Sequence, residues 1–135
     1  MLIDESIIDQ LSDKLYEIGK PFGFSKPVVH SDRLITEIYI INTHAIQIEI
    51  DWMENNLFMY AVYLFDGNLP ESKVIYNYPN GQWCRRYLEE VYKTKRFSLE
   101  KSKNRYTHEY LFECFEFYEK LIKNDPIALI DYFRA

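Results

Sequence analysis

Glycine, cysteine and histidine are scarce in this chain: four, two and three residues out of 135. The four glycines build no Gly-rich phosphate loop and no G-x-S-x-G elbow, which removes the usual nucleotide cradles and the exposed serine nucleophile. Cys84 and Cys114 fall at apolar positions of expected helices and are too far apart for a C-x-x-C pattern. They are expected to be buried free thiols of a reducing compartment rather than a disulfide framework. His30, His44 and His108 are scattered. His108-Glu109 opens like a zinc-protease helix, but Phe112 stands where the second histidine has to be, so no such metal pair can form. Long apolar runs are missing too. Nothing approaches the roughly 20 residues that a membrane span requires, and the first ten residues, MLIDESIIDQ, carry acid where a secretory signal carries base. A cytoplasmic protein without metal or cofactor is the expectation.

What is present is a core. Hydrophobic residues make up 47% and charged residues 27%, the balance of a folded domain rather than of a disordered chain. A length of 135 residues suffices for one domain over residues 1–135 without disulfide or metal support. Twelve tyrosines and nine phenylalanines supply large rigid area for that core or for a binding face. Charge is split along the chain. Residues 1–72 hold four bases against twelve acids, whereas residues 85–105 hold eight bases against three acids. An acidic chain repels nucleic acid overall, so neither nucleic acid nor membrane is expected as a partner.

Residues Ala45 to Phe65, AIQIEIDWMENNLFMYAVYLF, read as a β-hairpin around which the rest has to pack. Ile46, Ile48, Ile50 and Trp52 alternate with Gln47, Glu49 and Asp51, the period of two of a half-buried strand. Before it, Leu34 to Ile41 reads as a strand, with Pro21 to Asp32 as a loop. A turn at Asn42-Thr43-His44 sets Ile40 opposite Ile46 and Ile38 opposite Ile48. Asn55-Asn56 is expected as a two-residue type I′ turn, which sets Glu54 opposite Leu57, Trp52 opposite Met59 and Ile48 opposite Tyr63. Lys73 to Tyr78 is a candidate fourth strand, ended by Pro79-Asn80-Gly81.

Helices flank this meander. Asp4 to Ile18 buries Ile7, Ile8, Leu11, Leu15 and Ile18 on one stripe, with Asp4 as cap and Gly19 and Pro21 as stop signals. Its other face carries Glu5, Asp9, Asp13 and Glu17 in a row. Gln82 to Tyr92 is expected to be helical, Lys93 to Arg105 a mobile basic loop, and Thr107 to Asn124 a strongly amphipathic helix with Thr107 able to cap it. Asp125-Pro126 then starts a last short helix with Ile130 and Phe133 inward. The fold class is α+β: an N-terminal helix, an antiparallel meander of three to four strands, and a helical C-terminal half packed on the sheet.

The face of the meander away from the isoleucines carries Glu37, Tyr39, Glu49, Asp51, Phe58, Tyr60, Val62 and Leu64. Either a C-terminal helix covers Phe58, Val62 and Leu64 and leaves the acids at the rim, or the face is open for recognition. In the second arrangement Asp9, Asp13, Glu37, Tyr39, Glu49, Asp51 and Tyr60 are the candidate partner-binding residues. The acids would steer a basic protein and the tyrosines would supply desolvated contact. Glu49 and Asp51 could also work as acid and base or hold Mg²⁺, but any i, i+2 pair on a strand projects so. No base, amide cluster or oxyanion donor accompanies them, so catalysis is not expected.

The order of helix, three-strand meander and helical half, together with IQIEIDWMENNLFMYAVYLFDGNLP, resembles small immunity proteins of bacterial toxin systems. That resemblance implies a non-enzymatic inhibitor, monomeric or homodimeric, that occludes a basic partner. The chain is also similar to dimeric secretion chaperones in its first helix, strands and second helix, but those return to strands where residues 107–133 here read as helix. A metal-dependent enzyme using Glu49 and Asp51 is the third alternative.

Overall fold

The structure, a computed structural model, describes residues 3–70 and 84–134. It is an α+β fold: helix α1 (Glu5–Gly19), strands β1 (Val28–Asp32), β2 (Ile35–Ile41), β3 (Ala45–Asp51), β4 (Asn56–Val62) and β5 (Arg85–Tyr87), then helices α2 (Leu88–Val91), α3 (Phe97–Glu100), α4 (Glu109–Asn124) and α5 (Pro126–Arg134). The strands form one antiparallel sheet in the order β1-β2-β3-β4-β5. Residues 73–81 and the start of the expected helix at Gln82 lie outside the described residues.

α1 forms where its stripe and cap place it. Asp4 Oδ1 accepts from the backbone N–H groups of Ser6 at 3.0 Å and Ile7 at 3.3 Å, which satisfies donors that the first turn leaves free. The buried stripe of α1 and that of α4, which includes Leu111, Phe115 and Tyr118, close over the isoleucines of β2 and β3 and over Leu57 and Met59 of β4. Each such side chain contributes about 1.5–3 kcal/mol relative to exposure. Asp125 opens α5 as expected, its Oδ1 accepting from Ala128 N at 3.2 Å. Leu129 is the buried residue of that helix, while Ile130 and Phe133 are half-buried at its side. Thr107 does not cap α4. Its hydroxyl donates to Asn104 O at 2.9 Å, and no side chain caps this helix at His108.

Gly19 has a different role from the stop signal read in it. The chain continues through a 3-10 turn, Lys20–Phe22, and the left-handed residue is Gly23 at φ 82°. Gly19 instead lets the helix end approach β2: an added Cβ would overlap Ile40 Cδ1 and lie 2.9 Å from Phe24 Cβ. Gly19→Ala is therefore expected to cost about 1–3 kcal/mol by overpacking, read as a lower denaturation midpoint. A neutral or stabilising result would contradict this close approach.

Four further expectations, on strands and loops, are corrected. Val28 to Asp32 is a strand, not part of a loop, closed onto β2 by the two residues Arg33-Leu34, with Arg33 at φ 52°. The β2-β3 register is as expected, with Ile40 opposite Ile46 and Ile38 opposite Ile48. The β3-β4 register is not: Ile48 faces Met59 and Asp51 faces Asn56. The turn is Trp52 to Asn55, because Asp51 Oδ1 accepts from Glu54 N at 3.0 Å, only Asn55 of the two asparagines has positive φ, and Asn55 Nδ2 donates to the carbonyls of Arg105 and Thr107. The slip is even, so every side chain keeps its expected face.

The third correction concerns Arg85 to Tyr87, which pair with Val62 to Tyr60 as a short strand, so the helix there is only Leu88–Val91. The fourth concerns Lys93 to Arg105, which is docked rather than a mobile loop. Leu99 is buried, Arg96 donates to Asn56 Oδ1 and Cys114 Sγ at 3.0 Å each, and Arg105 donates to the carbonyls of Glu54 and Asn55. Arg96 thereby closes the part of the β4 edge that β5 does not reach, lying 4.6 Å from the Phe58 ring centroid.

Candidate functional site

The register stacks the second sheet face in rows. His30, Glu37, Glu49 and Phe58 lie side by side across β1 to β4, as do Val28, Tyr39, Gln47, Tyr60 and Tyr87 across all five strands. The middle of the second row, Tyr39, Gln47 and Tyr60, is buried, while its ends Val28 and Tyr87 are exposed. Tyr39, Ala45, Tyr60 and Val62 form a small buried cluster, with Ile41, Phe58, Leu64 and Leu69 packed against it. No residue of α4 or α5 belongs to that cluster among the described residues, so the C-terminal helices do not cover Phe58, Val62 and Leu64.

Where the rows approach the β1-β2 and β3-β4 turns, the face opens into a cleft of about 790 Å³. Its lining is Asp32, Arg33, Leu34, Ile35, Glu37, Glu49, Asp51 and Met53. Four carboxylates thus face one guanidinium. Three of the four are held from behind by one oxygen each. Glu37 Oε2 accepts from Tyr39 OH at 2.7 Å and from Gln47 Nε2 at 2.8 Å, Glu49 Oε1 accepts from Tyr60 OH at 3.2 Å, and Asp51 Oδ1 accepts from Glu54 N. The remaining oxygens, Glu37 Oε1, Glu49 Oε2 and Asp51 Oδ2, have no hydrogen-bond partner among the described residues, and no cation forms an ion pair with these three groups there. Glu37 is 9% exposed, so a mostly buried carboxylate lines the cleft.

Glu37 and Glu49 are direct cross-strand neighbours, an arrangement that costs stability when both are charged. Burial raises the Glu49 carboxyl above its ordinary value, and Glu37 and Asp51 push the same way, against the Tyr60 hydroxyl and Arg85. Burial first, then the hydrogen bond to Glu37, raises the Tyr39 phenol; burial and the Glu49 charge raise that of Tyr60. Both phenols therefore remain protonated donors.

A carboxyl whose folded-state value lies above the unfolded one binds its proton more tightly when folded. Its stability contribution is present below the unfolded value and is lost as pH rises through the folded one. Glu49→Gln is expected to be more stable than the parent at neutral pH by a few tenths to about 1 kcal/mol. The gap should close as pH falls towards about 4. Urea denaturation at the two pH values checks this, and a variant less stable at neutral pH would contradict the opposed-carboxylate geometry.

The expected site residues separate into three groups. Glu37, Glu49 and Asp51 meet in the cleft. Tyr39 and Tyr60 are 2% and 6% exposed, so their rings are shut in and their hydroxyls position Glu37 and Glu49 instead. Asp9 and Asp13 are exposed on α1, which packs on the opposite face of the sheet, and do not join the cleft. Asp32, Arg33, Leu34, Ile35 and Met53 complete the lining; none was read as a site residue from the sequence, because they lie in or beside the two turns whose geometry the sequence misstated. Among the described residues no group of three or more His, Cys, Asp or Glu is placed to hold a metal ion, and no helix is long and apolar enough to cross a membrane. Compared with known proteins, the chain matches no family model, no curated protein and no solved structure.

Proposed function

We propose that this chain is a non-enzymatic inhibitor of the immunity or antitoxin type, which occludes a basic partner protein through the acidic cleft on the second face of its sheet. One observation carries the reading: Glu37, Glu49 and Asp51 are fixed from behind, each with a second oxygen that takes no partner among the described residues. Carboxylates held in place before binding cost little to order, and a cleft with four carboxylates to one guanidinium keeps an excess of negative charge that speeds encounter with a cationic surface. Leu34, Ile35 and Met53 in the same lining can cover the aliphatic stems of lysine or arginine. The partner's contact area is supplied by this cleft rather than by Tyr39 and Tyr60.

The test is capture from the source cell with the tagged chain, followed by identification of the bound protein and an assay of its activity with and without the chain. The expected result is a protein with a basic contact face whose activity falls as the chain is added. A partner that is acidic at its contact face, or whose activity is untouched, would overturn the reading.

A further inference from the structure

Among the described residues the sheet ends at β1, which is hydrogen-bonded to β2 on one side and has no strand on the other. All five of its residues are exposed, including Val28 at 39% and Val29 at 43%. Natural edge strands are normally blunted by proline, by lysine, by a bulge or by a covering element. Within Val28–Asp32, VVHSD, there is no proline and no lysine, and the pairing with β2 runs without a bulge. The β-branched pair Val28-Val29 suits an extended neighbour.

This open edge adjoins the cleft. Val28, His30 and Asp32 lie on the cleft face of β1, opposite Tyr39, Glu37 and Ile35, whereas Val29 and Ser31 point to the other face. A strand added beside β1 would sit about 4.8 Å away. Its alternate side chains would rise on the cleft face beside His30 and Asp32 and in front of Glu37.

We propose that the β1 edge and the acidic cleft form one groove that takes an extended segment of a basic protein, which joins the sheet as a sixth strand with alternate arginine or lysine side chains turned into the cleft. Main-chain hydrogen bonds to β1 supply the grip; Glu37, two strand spacings from the added strand, comes within reach of its side chains, while Glu49 and Asp51, one strand further, attract the cation across the cleft. Arginine fits best, because it is long and its planar fork offers two N–H groups to a carboxylate. A second copy of this chain is the wrong occupant: pairing two β1 edges would place two four-carboxylate clefts beside each other. The proposal rests on the inhibitor reading for the nature of its partner, but not for its geometry.

The test uses the full chain and four synthetic peptides. One alternates arginine with valine, one has glutamate in place of arginine, and two are the arginine peptide N-methylated at alternate peptide bonds, along one edge or along the other. Affinity is read by fluorescence anisotropy and position by hydrogen exchange of the β1 amides. The arginine peptide is expected to bind and to protect amides within Val28–Asp32, while the glutamate peptide does not bind. N-methylation of the pairing edge should weaken binding by about tenfold or more. Glu49→Gln combined with Asp51→Asn, checked for an unchanged thermal midpoint or a raised one, should weaken the unmodified peptide by a similar factor.

Equal binding of the N-methylated peptides on either edge, no added protection in β1, or no binding of the arginine peptide would each overturn the sixth-strand proposal. A chain that binds the arginine peptide along β1 yet inhibits no captured protein would remove the inhibitor reading and leave this one standing. An inhibited basic partner with no peptide bound along β1 would do the reverse.

Discussion

Trp52→Ala is expected to destabilise the protein by about 3–5 kcal/mol, a large fraction of the 5–15 kcal/mol that holds a domain of this size folded. Trp52 has no exposed surface although it begins a turn. Its backbone N–H reaches Leu34 O at 2.9 Å and its indole Nε1 donates to Thr36 Oγ1 at 2.8 Å, so it ties the β3-β4 turn to the start of β2. Truncation removes a large apolar surface and leaves a cavity where α1, α4 and the sheet meet. Thr36 keeps Ser31 as a hydroxyl partner at 2.9 Å, so the loss should come mainly from packing. Trp52→Phe, which retains a ring, should recover a substantial part of it. Urea unfolding measures both, and a loss below about 1 kcal/mol for the alanine variant would mean that Trp52 is not at the centre of this core.

The second large effect is on binding. Glu49→Lys combined with Asp51→Lys is expected to slow association with a basic partner by about 10- to 1,000-fold, because the cleft that attracts the partner would repel it. The matched reversal at Asp9 and Asp13 changes net charge equally but lies on α1, across the sheet from the cleft. It should reduce the rate far less, and less still as salt is raised. Stopped-flow mixing separates the two pairs. Equal slowing by both would point to net charge alone and away from the cleft.

Elements whose apolar pattern is long and regular were legible in the sequence. The stripes Ile7, Ile8, Leu11, Leu15 and Leu111, Phe115, Tyr118 are set by local periodicity, and the β2-β3 register follows from isoleucines on two strands joined by a short polar turn. The misread elements depend on distant partners. Val28 to Asp32 becomes a strand because β2 needs a neighbour, and its turn uses Arg33 at positive φ, where sequence rules look for glycine or asparagine. The β3-β4 turn is fixed by Asn55 bonding to residues 50 and 52 positions further on. Arg85 to Tyr87 carry a helical pattern that the open edge of β4 overrides.

The same distinction explains the site. Alternation placed Glu37, Glu49 and Asp51 on one face, and the structure joins them in one cleft. That Tyr39 and Tyr60 would be closed over, and that Asp32 and Met53 would rim the opening, depended on the two misread turns and on packing no local pattern encodes.

We propose that carboxylates on the second sheet face, each fixed through one oxygen and with the other unpartnered among the described residues, recruit a basic protein. The most direct test is the association rate constant with the captured partner across a range of ionic strength, for the parent chain and for Glu49→Gln combined with Asp51→Asn. The account predicts a rate that falls steeply with salt in the parent and only shallowly in the variant. A salt-independent rate, or the same slope for both proteins, would contradict it.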